Sequence, residues 1–133
     1  MVGNGLGEET TIGPLINRKA AADVKDLIED AKSKGAISEL GENNNAYGDC
    51  YVEPTILSNI NTSMRVFNEE IFGPVAPIIK FESEDEAVEL ANKTEFGLAA
   101  YFYSRDIGRI YRVSEALEFG IVGVNEGIIS NEM

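Results

Sequence analysis

A chain of 133 residues with 44% apolar side chains is long enough for one hydrophobic core and too apolar for wholesale disorder. Its 11 basic and 23 acidic side chains give a net charge of −12, so partnership with nucleic acid or with an anionic membrane, both of which require clustered cations, is not expected. His is absent and Cys occurs once. This excludes imidazole-based triads, HExxH and Cys-rich metal sites and an internal disulfide framework, and fits a reducing compartment, the cytoplasm.

The elements follow in chain order. Residues 1–15 are rich in Gly and Thr without a period, and read as an extended segment with no signal-peptide character. Asn17 is a helix N-cap, and Ala20, Val24, Leu27, Ile28 and Ala31 form one apolar face of a helix over Arg18 to Lys34, stopped by Gly35. Ala36 to Leu40 predicts a short strand, Gly41 to Asp49 a polar loop, and Tyr51 to Leu57 a strand in which Pro54 demands an edge or a bulge. A short helical turn lies within Thr62 to Glu70; Gly73-Pro74 breaks it, and Val75 to Phe81 has strand length.

Ser83 and Glu86 form a capping box for a helix with Ala87, Leu90 and Ala91 on its buried face. Leu98 to Tyr103 is a strand. Asp106 caps a helix in which Ile107, Ile110, Tyr111, Ser114 and Leu117 share a face, and Ile121 to Val124 is a strand after Gly120. The alternation predicts an α/β fold: a largely parallel sheet with flanking helices.

Few stretches offer chemistry. Gly3-Asn4-Gly5-Leu6-Gly7 resembles a phosphate loop, but no strand precedes it, its spacing is wrong and Glu8 and Glu9 follow, so it reads as a plain loop. Cys50 is the sole possible thiol nucleophile. It stands beside Asp49 with no His in the chain and no adjacent cation, surroundings that suit a half-buried structural residue rather than a thiolate.

Glu69-Glu70-Ile71-Phe72-Gly73-Pro74 has two readings. A carboxylate accepts two hydrogen bonds at once, as from the vicinal diol of a ribose, and Phe72 on a rigid turn packs on a flat ring. Alternatively this is a solvated helix end with Phe72 in the core, and the residues alone favour that. Asn125 and Ser130, leaving the last strand, are either substrate contacts or part of a plain connection.

Four ordered blocks carry a family resemblance: Thr11-Ile12-Gly13-Pro14-Leu15-Ile16-Asn17, Glu53-Pro54-Thr55-Ile56-Leu57, Glu69-Glu70-Ile71-Phe72-Gly73-Pro74-Val75, and Glu95-Phe96-Gly97-Leu98-Ala99-Ala100. Together they resemble the aldehyde dehydrogenase superfamily over essentially the whole chain. Residues 101–130 are similar to the succinate-semialdehyde dehydrogenases.

The resemblance implies a mechanism in which a Cys thiolate attacks the aldehyde, hydride passes to NAD or NADP, and a Glu activates water to release the acid. It implies cofactor-binding roles for Glu70, on the nicotinamide ribose hydroxyls, and Phe72, beside the nicotinamide. It implies that Ser130 contacts a substrate carboxylate together with arginines from elsewhere in the fold. It supplies no catalytic residue here: the family's nucleophilic Cys, catalytic Glu and dinucleotide-binding domain lie upstream of the matching segment, and the oligomerisation strand lies downstream.

Residues 1–133 are thus expected to be a partial catalytic domain of an NAD(P)-dependent oxidoreductase that oxidises succinate semialdehyde to succinate, and to be inactive alone. Two other expectations stand beside it. The chain is one half of a split enzyme completed by a separately encoded chain that supplies the Cys and the cofactor domain, or it is a stand-alone interaction module; the partner expected is a complementing chain or a homo-oligomer.

Overall fold

Asn17 opens the first helix by accepting a hydrogen bond from the Ala20 N–H at 2.8 Å, which satisfies one of the helix's unpaired donors. The helix, α1, runs Arg18–Ser33 in the computed structural model, which describes residues 1–41 and 47–127. It buries Ala21, Val24, Leu27, Ile28 and Ala31. The expected face is correct except at its start, where Ala21, three residues before Val24, takes the place given to Ala20.

Gly35 ends α1 at φ +99°, a left-handed conformation that costs a residue with a Cβ. Its N–H donates to the Lys32 carbonyl, and the Ala36 N–H donates to the Ala31 carbonyl, the paired bonds of a Schellman stop.

The described chain divides into two units, Met1–Lys80 and Phe81–Met133. In the first unit, β1 (Ile37–Leu40) pairs antiparallel with β2 (Thr55–Ser58), and β2 pairs parallel with β3 (Val75–Pro77). A short helix, α2 (Arg65–Asn68), separates β2 from β3. Strand β2 is central, and its alternate residues Thr55 and Leu57 face the core. Leu57 and Met64 are both 0% exposed, and with Val52, Ile60, Val66 and the apolar face of α1 they form the core.

Both strands flanking the expected α2 turn are shorter than the apolar runs predict. Strand β2 begins only after Pro54, and β3 ends at Pro77, because a proline has no N–H to give to a ladder.

In the second unit, β4 (Ala99–Phe102) and β5 (Ile121–Val124) pair parallel, and α4 (Ile107–Ala116) connects them; α3 (Glu84–Asn92) precedes β4. Ser83 caps α3 by accepting from the Glu86 N–H at 3.1 Å. The Glu86 carboxylate reaches back to the Glu82 N–H at 2.7 Å, one residue beyond the reciprocal bond of a capping box. Asp106 caps α4 by accepting from the Arg109 N–H. Glu84 accepts from both Arg109 and Arg112, joining α3 to α4, and Asn92 ties the ends of the same helices by bonding Ala116 and Glu118.

The α/β class and the parallel pairings are as expected. The strands, however, form a three-stranded and a two-stranded sheet rather than one, and β1 runs antiparallel. Neither α3 nor α4 buries a residue: Ala87, Leu90 and Ala91, expected as a buried face, stay half-exposed, and Ala87 and Ala91 line an open apolar groove between α3, α4 and β4. Among the described residues no helix is long and apolar enough to cross a membrane.

Candidate functional site

The segment from Glu69 to Pro74 leaves the end of α2 and returns to β3, and it is fixed at both ends. At the first end the Glu69 N–H donates to the Arg65 carbonyl at 2.8 Å. The Arg65 guanidinium donates to both oxygens of the Glu69 carboxylate, Nε to Oε1 at 2.6 Å and Nη2 to Oε2 at 3.0 Å. This bidentate fork is the strong form of a charged hydrogen bond. It holds the Glu69 carboxyl below its ordinary range and raises Arg65.

Arg65 is fixed in turn by α1. Its backbone N–H donates to the Asp30 carboxylate at 3.0 Å. That bond, followed by the Lys34 ammonium, holds Asp30 below the usual carboxylate range. Lys34 Nζ also donates to the Ser63 carbonyl, just before α2.

At the second end Gly73 lies against α1. A Cβ built on Gly73 would meet Val24 Cγ2 at 2.7 Å, too close for any side chain against a buried, β-branched neighbour. Pro74 follows, and its carbonyl accepts from the Thr55 N–H at 2.9 Å. Val24 and Asp30 thus make one helix the mount for both ends of the loop.

Between these ends, Glu70 and Phe72 face solvent. Phe72 is 78% exposed, so the core position that the residues alone favour is incorrect: Ile71 takes the inward place, packed on the core cluster. Backbone alternation accounts for it, since neighbours in an extended segment point to opposite sides. The Glu70 carboxylate is exposed and has no hydrogen-bond or ion-pair partner among the described residues. Glu69 is the tethered carboxylate and Glu70 the available one.

Reading the sequence did not single out Arg65 or Asp30. The four-residue spacing from Arg65 to Glu69 inside a predicted helical turn was the available signal; Asp30 lies 35 positions before Arg65, and nothing local announces that contact.

The other candidates are placed as follows. Gly3 to Gly7 forms a turn closed by Gly7 N–H to the Asn4 carbonyl at 2.8 Å, with the Asn4 side chain accepting from Leu6; it follows no strand. Cys50 is half-buried, and its carbonyl accepts from the Leu15 N–H. Asn125 at the end of β5 has both halves of its amide bound to the Ser104 backbone, at 2.9 and 3.0 Å. It therefore fastens β5 to the chain after β4. Ser130 lies outside the described residues.

The pattern of the aldehyde dehydrogenase family matches residues 1–133. The chain belongs to the aldehyde dehydrogenase family. It is 54% identical over 132 residues to the 3-sulfolactaldehyde dehydrogenase of Pseudomonas putida, covering 99% of this chain and 27% of that one. It is 52% identical over 132 residues to the mitochondrial succinate-semialdehyde dehydrogenase of Oryza sativa subsp. japonica, covering 99% of this chain and 25% of that one. The crystal structure of an Escherichia coli NADP-dependent enzyme superposes with a TM-score of 0.94 at 51% identity, over 99% of this chain and 27% of the other. This aldehyde dehydrogenase chain spans about a quarter of the length of the curated relatives it matches.

Proposed function

We propose that this chain is a segment of an NAD(P)-dependent aldehyde dehydrogenase acting on small carboxylate-bearing aldehydes, succinate semialdehyde first among them, and that it supplies the grip on the nicotinamide ribose. One observation carries the reading: Glu70, a carboxylate with no partner among the described residues, stands two residues from a solvent-facing aromatic ring, Phe72, on a loop fixed at both ends to α1.

A carboxylate is acceptor-only and suits a vicinal diol, whose two hydroxyls both donate. An exposed ring beside it suits the flat face of a nicotinamide. When bound, NAD or NADP supplies the hydride acceptor, and the contribution of Glu70 and Phe72 is placement, which hydride transfer requires closely. The names of the relatives, one a succinate-semialdehyde dehydrogenase and one a 3-sulfolactaldehyde dehydrogenase, support a substrate with an anionic group.

Among the described residues no side chain is placed to act as nucleophile. Cys50 follows Asp49, whose carboxylate lies 3.6 Å from Arg18, and the chain has no His to serve as the thiol's base. Turnover requires more polypeptide, either in the same chain or as a complementing one. The open apolar groove of the second unit, where no helix residue is buried, agrees with that requirement.

The purified 133-residue polypeptide, mixed with succinate semialdehyde and NAD+ or NADP+, produces no reduced nicotinamide above a protein-free blank. Turnover abolished by replacing Cys50 would contradict the reading.

Ser130 is proposed to contact the substrate carboxylate in the full-length enzyme. Ser130→Ala then raises the KM for succinate semialdehyde about ten- to a hundredfold, the loss of one hydrogen bond to a charged group, and leaves a neutral aldehyde unaffected. Equal losses for both aldehydes would remove Ser130 from the site.

A further inference from the structure

We infer that Arg65 is a positioning residue for Glu70: by clamping Glu69 it fixes which of two adjacent carboxylates is presented to the cofactor. The inference rests on the proposed role of Glu70, and it adds how that role is secured.

Two neighbouring glutamates on a loop pose a problem of register. The backbone at Glu69 is extended, with φ −108° and ψ 144°, so the two side chains leave the chain in opposite directions. A rotation of this segment by about half a turn about its own axis would exchange them, and Glu69 and Glu70 have identical chemistry. A diol that met either carboxylate would have two seats, and the nicotinamide two positions.

The fork from Arg65 removes that freedom. Two parallel N–H···O bonds at 2.6 and 3.0 Å occupy both Glu69 oxygens, and the planar guanidinium fixes orientation as well as distance. The base of Arg65 is fixed independently, its N–H on Asp30 of α1.

Helix stabilisation does not explain the pair. Helix α2 has four residues, with Arg65 in its first turn and Glu69 at its C-cap. A cation at the start and an anion at the end oppose the helix macrodipole, and a basic residue N-terminal to its acidic partner is the weaker order for an i,i+4 pair. Orientation of the loop is the role that its geometry suits.

The test uses the full-length enzyme carrying this segment, with the cofactor dissociation constant from calorimetry and the hydride-transfer rate from single turnovers. Arg65→Ala and Glu69→Gln, which break the fork from its two sides, each slow hydride transfer about three- to tenfold and weaken cofactor binding about two- to fivefold. The KM for the aldehyde stays within about twofold. Arg65→Lys, which keeps the charge but not the fork, recovers part of the loss. Arg65→Ala combined with Glu70→Gln is no slower than Glu70→Gln alone, because Arg65 acts through Glu70.

Additive losses in the double variant, or wild-type behaviour of both Arg65→Ala and Glu69→Gln while Glu70→Gln is impaired, overturn the positioning role alone. Wild-type behaviour of Glu70→Gln overturns the ribose reading and this inference with it. If Arg65→Ala does not fold, the isosteric Glu69→Gln decides the question by the same measurements.

Discussion

Glu70→Gln in the full-length enzyme slows hydride transfer by about ten- to a hundredfold, the range spanned by losing a hydrogen bond to a charged acceptor. The exchange is isosteric. It leaves one acceptor oxygen, turns the other position into a donor and removes the charge, so that a diol giving two protons finds one partner fewer. The ribose then sits less firmly, and the reacting carbon of the ring spends less time within transfer distance of its donor. Aldehyde binding is served by other groups and is affected less than the chemical step. Single-turnover kinetics with aldehyde deuterated at the reacting carbon checks this: a primary isotope effect grows as hydride transfer becomes rate-limiting. Unchanged turnover with a raised aldehyde KM would contradict the role.

Leu57→Ala destabilises the first unit by about 2–5 kcal/mol, the cost of deleting a large buried aliphatic side chain and leaving part of its cavity. Leu57 is fully buried in the central strand of the three-stranded sheet, within the cluster that includes the apolar face of α1. Since α1 also mounts the Glu69–Pro74 loop, the substitution loosens the proposed cofactor contact as well. Leu117→Ala is the comparison. Leu117 follows α4 and is half-exposed on the open groove, and its truncation costs less than about 1 kcal/mol in the polypeptide alone. Urea unfolding of the two variants separates them; equal losses would show that the second unit has a core of its own.

Much of the fold was legible because its signals are local. Asn17, Ser83 and Asp106 mark helix starts by side-chain chemistry, Gly35 marks a stop, and the spacing of Val24, Leu27, Ile28 and Ala31 marks the buried face of α1. Strand pairing was not legible. Nothing in Ile37–Leu40 states that its partner runs antiparallel, and a short apolar run does not say which sheet it joins.

The buried faces expected for α3 and α4 came from periodicity, which reports where apolar side chains point and not what covers them. At the candidate site, the hexapeptide could be found in the sequence, but its orientation could not. Phe72 and Ile71 are adjacent and both apolar, and only the closeness of Gly73 to Val24 and the fork on Glu69 decide which of them turns inward.

The most direct measurement is a crystal structure of the full-length enzyme with bound NAD+ or NADP+. The account predicts both hydroxyls of the nicotinamide ribose within hydrogen-bond distance of the Glu70 carboxylate, Glu69 still on Arg65, and the Phe72 ring against the nicotinamide. A bound cofactor whose ribose is held by Glu69, or by neither glutamate, would contradict it.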